Sequence, residues 1–125
     1  MKKKILVAPL DWGLGHATRC IPIIRELLLQ NAEVLLASDG RSYQLLQKEF
    51  PELTHLPLPG YSVSYQKNGS IILQMMMQVP KILKAISREN RLLKRIVSEY
   101  KIDAVISDNR YGLWSKEIPC VFMTH

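Results

Sequence analysis

The sequence lacks a long apolar run. Of its 125 residues 47% are hydrophobic, yet no uninterrupted stretch approaches the ~18 residues that a membrane-spanning helix needs. The first ten residues begin like a secretion signal, but Asp11, Trp12 and Gly13 follow them without a small-residue cleavage site. We therefore predict a strand at this position and a protein that stays in the cytoplasm.

Cysteines are scarce as well, and metal-binding patterns are absent from the sequence. The two cysteines, Cys20 and Cys120, lack metal-ligand spacing and are too few for a disulfide framework. Both have apolar neighbours, so we expect buried thiols. We also find no paired carboxylates with metal-ligand spacing and predict that no metal is required.

Acidic residues are outnumbered by basic ones. Seventeen Lys and Arg residues against eleven Asp and Glu residues give a net charge of +6, which favours anionic partners such as nucleotide sugars, lipid phosphates or nucleic acid. The sequence has neither zinc-finger spacing nor the aromatic-and-glycine pattern of an RNA-recognition strand. Nucleic acid is therefore the least favoured of these partners, and we predict none.

Short apolar runs alternate with segments of helical period. The apolar runs predict five strands, at residues 4–8, 33–38, 54–58, 104–107 and 120–124. The first helix is predicted to begin near residues 18–21, because Pro22 lacks a backbone donor and suits a first helical turn. The other predicted helices cover residues 41–50, 71–79, 80–100 (separated from the preceding one at Pro80) and 111–116.

Alternating strands and helices are typical of an α/β protein with a parallel sheet and right-handed crossovers. Strand order 3-2-1-4-5, with helices on both faces, is the arrangement we predict. The sequence stops directly after the fifth strand, and we expect residues 1–125 to be one domain of a longer protein.

A glycine-rich loop follows the first strand. Gly13 and Gly15 let backbone N–H groups turn toward an anion at a helix N-terminus. They fit the first two positions of the dinucleotide-binding pattern Gly-x-Gly-x-x-Gly, but Thr18 takes the third. Asp39 follows the second strand, where a ribose-binding acid would lie. A nicotinamide- or flavin-binding module is therefore one alternative function.

The dinucleotide interpretation does not explain His16 and Arg19 in the same loop. An imidazole titrates near neutral pH and suits removal of a proton from a hydroxyl, and a guanidinium can bind phosphate or carboxylate through two hydrogen bonds. The plainer alternative is that His16 caps the helix or contacts a backbone carbonyl. In this loop we favour the functional interpretation, whereas His55, inside the third strand, is expected to be structural.

Asp108 follows the fourth strand, which is the neighbour of the first in the predicted order. Parallel strands end at the same edge, so the loop of Asp108 should face the loop of His16. A carboxylate there can accept the second N–H of the imidazole, fix its tautomer and stabilise the imidazolium that forms. The alternative is that Asp108 caps a helix beginning at Tyr111.

Two motifs resemble GT-B glycosyltransferases of the MurG-like and plant UDP-glycosyltransferase kinds. Gly15-His16, followed by Arg19 and Pro22, is similar to their opening loop. The run Ala104-Val105-Ile106-Ser107-Asp108, leading to Ile118-Pro119, is similar to their next landmark. One departure is Leu14, which stands where a MurG-type motif has a further glycine, and it weakens the case for a lipid-pyrophosphate acceptor.

The resemblance implies that residues 1–125 are the Rossmann-like, acceptor-side half of a transferase whose C-terminal donor domain is absent from this sequence. It implies hexosyl transfer from a nucleotide sugar, expected to be a UDP-sugar, to an acceptor hydroxyl, with no other cofactor. His16 is then the catalytic base and Asp108 its partner. The expected substrate-binding residues are Gly13, Gly15, Thr18, Arg19, Asn109, Arg110 and His125. A nucleotide-sugar epimerase of the same architecture is a further alternative, and the isolated chain is expected to transfer nothing.

Basic residues recur at spacings of three and four in the last long helix, forming one stripe: Lys81, Lys84, Arg88, Arg91 and Arg95. We expect the opposite, apolar side to face the core; it carries Val79, Leu83, Ile86, Leu93 and Val97. A solvated surface is the simplest interpretation of the stripe. The alternative is attraction to an anionic membrane, which would make this a peripheral protein at the inner face of the membrane or a non-catalytic recruiting subunit.

Overall fold

The computed structural model describes residues 2–9, 14–58, 71–108, 110 and 112–123, and describes Leu14, Ile71 and Met75 by their backbone alone. The described elements follow one another in the order β1 (Lys4–Pro9), α1 (Leu14–Leu29), β2 (Glu33–Ser38), α2 (Gly40–Glu49), β3 (Thr54–Pro57), α3 (Ile71–Tyr100), β4 (Ala104–Asp108) and β5 (Cys120–Met123).

All five strands are parallel and lie in the order β3-β2-β1-β4-β5, which confirms the predicted order. Strand β1 lies in the middle of the sheet, between β2 and β4. Its last residue, Pro9, pairs with Asp108, the last residue of β4. The carboxyl ends of these two strands therefore lie side by side at one edge.

The sheet is covered on both faces by helices. Alternate residues of β1 point to opposite sides of the sheet and pack against different helices. Leu6 packs in a core cluster with Leu93 of α3, and Val7 packs in a second cluster with Ile24 of α1. Both β1 residues are completely buried. A strand buried on both sides has to be apolar throughout, which is what made β1 recognisable in the sequence.

Helix α1 begins at Leu14, so the prediction that it begins near residues 18–21 was wrong. Pro22 lies inside the helix instead of in its first turn. Both Pro22 and Thr18, four residues earlier, are exposed, so water can bond the carbonyl that a proline cannot reach. Helix α3 likewise continues through Pro80 as one helix of 30 residues, and the predicted break there was wrong for the same reason.

The prediction of a short helix over residues 111–116 was also wrong for its described part, because residues 112–119 form a turn and irregular structure. This segment is fastened to α3. The side-chain amide of Asn90 donates to the carbonyl oxygens of Gly112 and Trp114, each at 2.9 Å. Gly112 lies so close to α3 that a Cβ added to it would be 2.5 Å from the carbonyl oxygen of Ile86.

The outer half of α3 extends past the core. Thirty residues make a helix of ~45 Å, whereas the six residues of β1 span ~20 Å. Leu93 is fully buried, but Val79 and Leu83 are 50% and 60% exposed, so the prediction that these two face the core was wrong. Among the described residues, no helix is both long enough and apolar enough to cross a membrane.

The contact between Gly112 and α3 makes a prediction about stability. Gly112→Ala should lower the free energy of unfolding by about 2–3 kcal/mol, because its methyl group would overlap backbone and side-chain atoms of α3. Gly15→Ala is the matched control, since nothing lies within 4 Å of its added Cβ, and it should be neutral or stabilising by up to ~1 kcal/mol. Urea denaturation measures both, and equal effects would contradict the close packing.

Candidate functional site

The candidate site lies at the carboxyl edge of the sheet, where β1 and β4 end beside the first turns of α1. Residues 10–13 lie outside the described residues, so the glycine-rich loop is described only from Leu14 onward. His16 stands in the first turn of α1, and Arg19 follows three residues later on the same side of the helix. Asp108 ends β4 and is 1% exposed.

His16 and Asp108 lie close together, as predicted from their positions after β1 and at the end of β4, two neighbouring strands. The Nδ1 atom of His16 lies 3.3 Å from Oδ2 of Asp108. The histidine side chain is 12% exposed, so it remains accessible from one side. The alternative in which Asp108 caps a following helix finds no support in the described residues, since none of residues 112–119 is helical.

Arg19 is the third member of this cluster. Its terminal NH2 nitrogen lies 3.0 Å and 3.3 Å from the two oxygens of Asp108 and 2.8 Å from Nδ1 of His16. Arg19 was predicted to bind a ligand, and its contact with His16 was not predicted. The signal was the spacing of three between His16 and Arg19, which becomes informative only when α1 is known to begin before His16.

The two contacts at Nδ1 of His16 exclude each other chemically. A guanidinium only donates hydrogen bonds, so Arg19 at 2.8 Å requires Nδ1 to be an unprotonated acceptor. A hydrogen bond from His16 to Asp108 requires Nδ1 to carry a proton. The tautomer of His16 therefore depends on which of the two neighbours, Arg19 or Asp108, it bonds.

Arg110, predicted to bind substrate, lies in the interior and is 0% exposed. Its guanidinium donates to Oε2 of Glu89 at 2.9 Å, to the Pro9 carbonyl at 2.9 Å and to Oδ1 of Asp39. It thereby ties the ends of β1 and β2 to α3. These contacts hold this edge of the sheet together, and they occupy the guanidinium with protein groups.

Cys20 lies beneath the cluster on α1 and is completely buried, while Cys120 is half-buried; both are free thiols. The pKa of Cys20 is raised from 9.0 to about 12, mainly by burial and secondly by the negative charge of Asp108, while Arg19 opposes the shift. The thiol therefore stays neutral at physiological pH. Since the thiolate is the reactive form, Cys20 is not a nucleophile here.

The remaining predicted site residues divide into two groups. Gly15 and Thr18 lie on α1 and are exposed, close to His16 in the chain. Gly13, Asn109 and His125 lie outside the described residues. His55, expected to be structural, is half-buried; its Nε2 lies 2.7 Å from the carbonyl oxygen of Phe50.

A cavity of about 630 Å³ opens beside the cluster. It is lined by Arg19, Ile23, Asp108, Phe122 and Met123. The last two come from β5, whose carboxyl end reaches the same edge of the sheet. Arg19 and Asp108 were predicted site residues, whereas Ile23, Phe122 and Met123 were not, although the predicted strand order placed the end of β5 at this edge. In the part of the chain that is described, no group of three or more His, Cys, Asp or Glu side chains could hold a metal ion.

Solved structures with the same fold define the class. UGT89C1 of Arabidopsis thaliana complexed with UDP-L-rhamnose superposes with a TM-score of 0.62 at 19% identity, over 96% of this chain and 35% of that one. MurG of Acinetobacter baumannii superposes with a TM-score of 0.60 at 16% identity, over 99% and 35%. The fold is that of a GT-B glycosyltransferase-like, Rossmann-like domain.

The family follows from the sequence itself. The family model of glycosyl transferase family 1 matches residues 3–118, and the chain belongs to this family. An uncharacterized glycosyltransferase of Methanosarcina mazei is 28% identical, over 86% of this chain and 28% of its own length. The present chain thus spans about a quarter of that relative. Neither the dinucleotide-binding module nor the epimerase is favoured by these matches.

The buried position of Arg110 makes a second prediction. Arg110→Ala should lower the free energy of unfolding by about 3–5 kcal/mol, because Glu89 and Asp39 lose the cation between them. Arg25→Ala is the matched control: Arg25 is 63% exposed and contacts Glu49 at 3.4 Å, so its loss should cost ~1 kcal/mol or less. Chemical denaturation compares the two, and an equally small loss at Arg110 would refute its role in the sheet edge.

Proposed function

We propose that the protein transfers a hexosyl group from a nucleotide sugar, a UDP-sugar, to an acceptor hydroxyl, and that this chain supplies the acceptor side. Family membership and the GT-B fold support the reaction class. The observation that carries the proposal is the contact of His16 with the buried Asp108 beside an open cavity of about 630 Å³.

His16 acts as the general base in this proposal. With Nδ1–H donated to Asp108, the lone pair on Nε2 takes the proton of the acceptor hydroxyl. The hydroxyl oxygen forms a bond to the anomeric carbon of the sugar, and the bond from that carbon to the diphosphate breaks. The nucleoside diphosphate leaves with the bonding electrons. Asp108 stabilises the imidazolium, which then returns its proton to solvent.

A second domain would supply the donor. This chain covers 28% of the Methanosarcina mazei relative and 35% of UGT89C1, and the latter structure is a complex with UDP-L-rhamnose. We therefore assign the nucleotide sugar chiefly to a C-terminal donor domain of the whole protein. The acceptor then lies on the domain described here, against the edge of the sheet that carries His16.

The first turn of α1 is the proposed anion contact. Backbone N–H groups at a helix N-terminus attract phosphate; Gly15 and Thr18 lie near the start of α1, and Gly13, which precedes it in the sequence, remains a predicted contact. Asn109 and His125 remain predicted acceptor contacts. Arg110 serves the site indirectly, because it holds the end of β4 from which Asp108 projects.

The proposed base makes a third prediction. In the full-length protein, His16→Ala should lower kcat by about 10²–10⁴-fold, the usual contribution of a general base. His55→Gln is the control, because it alters a histidine on β3, which is separated from β1 by β2 in the sheet. Near-normal turnover by a folded His16→Ala variant would remove His16 from the mechanism.

We also propose that the outer face of α3 docks on an anionic membrane surface as a peripheral contact at the cytoplasmic face. The supporting observation is exposure of the whole basic stripe: Lys81, Lys84, Arg88, Arg91 and Arg95. Two exposed apolar side chains, Leu73 and Met77, continue the line of the stripe toward the start of the helix at spacings of four. Cations attract the surface, and the apolar side chains enter the headgroup region.

Vesicle binding gives the fourth prediction. The triple variant Lys84→Gln, Arg88→Gln and Arg91→Gln should bind vesicles containing anionic lipid about 100-fold more weakly, since each basic residue contributes ~1 kcal/mol. The control triple variant, Lys3→Gln, Arg41→Gln and Lys48→Gln, has the same charge change on other exposed residues. Flotation measures both. Equal weakening by the two variants, or equal binding of the unaltered protein to neutral vesicles, would contradict docking through α3.

A further inference from the structure

Arg19 stands between a base and the carboxylate that the base needs. In the proposed mechanism, Nδ1 of His16 donates to Asp108, so that the lone pair on Nε2 can take a proton. In the structure, the Arg19 guanidinium lies closer to Nδ1, at 2.8 Å, than Asp108 does, at 3.3 Å. An imidazole that accepts from Arg19 at Nδ1 carries its hydrogen on Nε2. In that tautomer Nε2 has no lone pair with which to take a proton.

The charge of Asp108 explains why Arg19 occupies this position. A carboxylate that is 1% exposed has lost its hydration and needs a nearby cation. Arg19 supplies one by bonding both carboxylate oxygens. The neutral Cys20 thiol beneath them supplies no charge. Imidazolium could replace Arg19 as the cation, but a protonated His16 and Arg19 would repel each other at this distance.

Arg19 is nevertheless placed so that a ligand can draw it away. Its side chain is 42% exposed, against 2% for Asp108, and it lines the cavity that the ligand would enter. A phosphate or pyrophosphate offers a guanidinium the same two-oxygen geometry as a carboxylate, often with more negative charge. The start of α1 adds its own attraction for an anion.

We propose that Arg19 is a substrate-sensing positioning residue. Without a phosphate-bearing ligand, Arg19 holds His16 in the inactive Nε2–H tautomer; a phosphate or pyrophosphate group in the cavity draws Arg19 away and lets Nδ1–H bond Asp108. The tautomer change loses a proton from Nε2 to water and gains one at Nδ1 from water, so its proton balance is zero. This inference rests on the proposed function, because control of the His16 tautomer by Arg19 matters only if His16 is the base.

In this arrangement, the ability of His16 to take a proton depends on whether a phosphate group is bound in the cavity. Once Arg19 has moved to the ligand, the buried Asp108 carboxylate lacks a cation. Uptake of the hydroxyl proton by His16 then supplies that cation next to it. Proton removal is therefore favoured only when the phosphate is present.

The test observes the tautomer directly, by ¹⁵N NMR of the imidazoles in the 125-residue chain at a pH about two units above the ordinary histidine pKa of ~6.5. His16→Gln assigns the His16 signals among the three histidines. We expect the Nε2–H tautomer without ligand. Saturating UDP, pyrophosphate or glycerol 3-phosphate should shift the tautomer ratio about tenfold or more toward Nδ1–H. The probe acting at the lowest concentration distinguishes a nucleotide donor from a phosphorylated acceptor.

Two variants sharpen the result. Arg19→Gln should show the Nδ1–H tautomer without any ligand and should no longer respond to the anions. Arg25→Gln, the same change on the same helix, should behave as the unaltered chain. The proposal is overturned if His16 is Nδ1-protonated in the ligand-free chain, if no anion changes the ratio, or if Arg25→Gln mimics Arg19→Gln. Because no turnover is measured, this outcome is independent of the kcat test of His16→Ala.

Discussion

The ion pair between Asp108 and its cation is the interaction on which the site depends. A carboxylate so deeply buried has lost its hydration and is stabilised by a positive partner beside it, and two side chains of α1 contact it. One is permanently charged and half-exposed, and the other is charged only after it takes up a proton. The position of Asp108 at the end of β4, paired with Pro9 of β1, brings it to the start of α1. Parallel pairing of two central strands thus determines which groups can meet.

A second group of an arginine and carboxylates, centred on Arg110, lies next to Asp108 in the chain and holds the strand ends in place. Arg110 follows Asp108 by two residues and is held by Glu89, Asp39 and the Pro9 carbonyl. The two arginines illustrate how position decides function. Arg110 has no exposure and serves the architecture, whereas Arg19 lies at the rim of a cavity and can exchange partners. The sequence alone shows two arginines near predicted strand ends and does not distinguish them.

Strands were more predictable than helices in this chain, for a physical reason. Apolar runs such as β2 follow directly from burial on both faces, so their positions and the sheet order could be predicted. The helices were misjudged where prolines were treated as boundaries, because whether a proline breaks a helix depends on which side of it faces solvent. That error placed His16 in a loop before α1, so the spacing of three between His16 and Arg19 was not recognised as a contact on one side of a helix. The segment after β4 was mistaken for a helix because its actual partner, Asn90 of α3, lies 22 and 24 residues away in the chain.

Pro22 has a consequence for the beginning of α1. Because it has no N–H, one backbone bond is missing from the helix just after Arg19, where the Thr18 carbonyl would otherwise have been the acceptor. The turn that carries His16 is therefore joined to the remainder of α1 by fewer bonds than an uninterrupted helix would provide. Ala17 and Cys20, both buried, anchor that turn to the sheet from within. The start of the helix therefore depends more on side-chain packing than the start of an uninterrupted helix would.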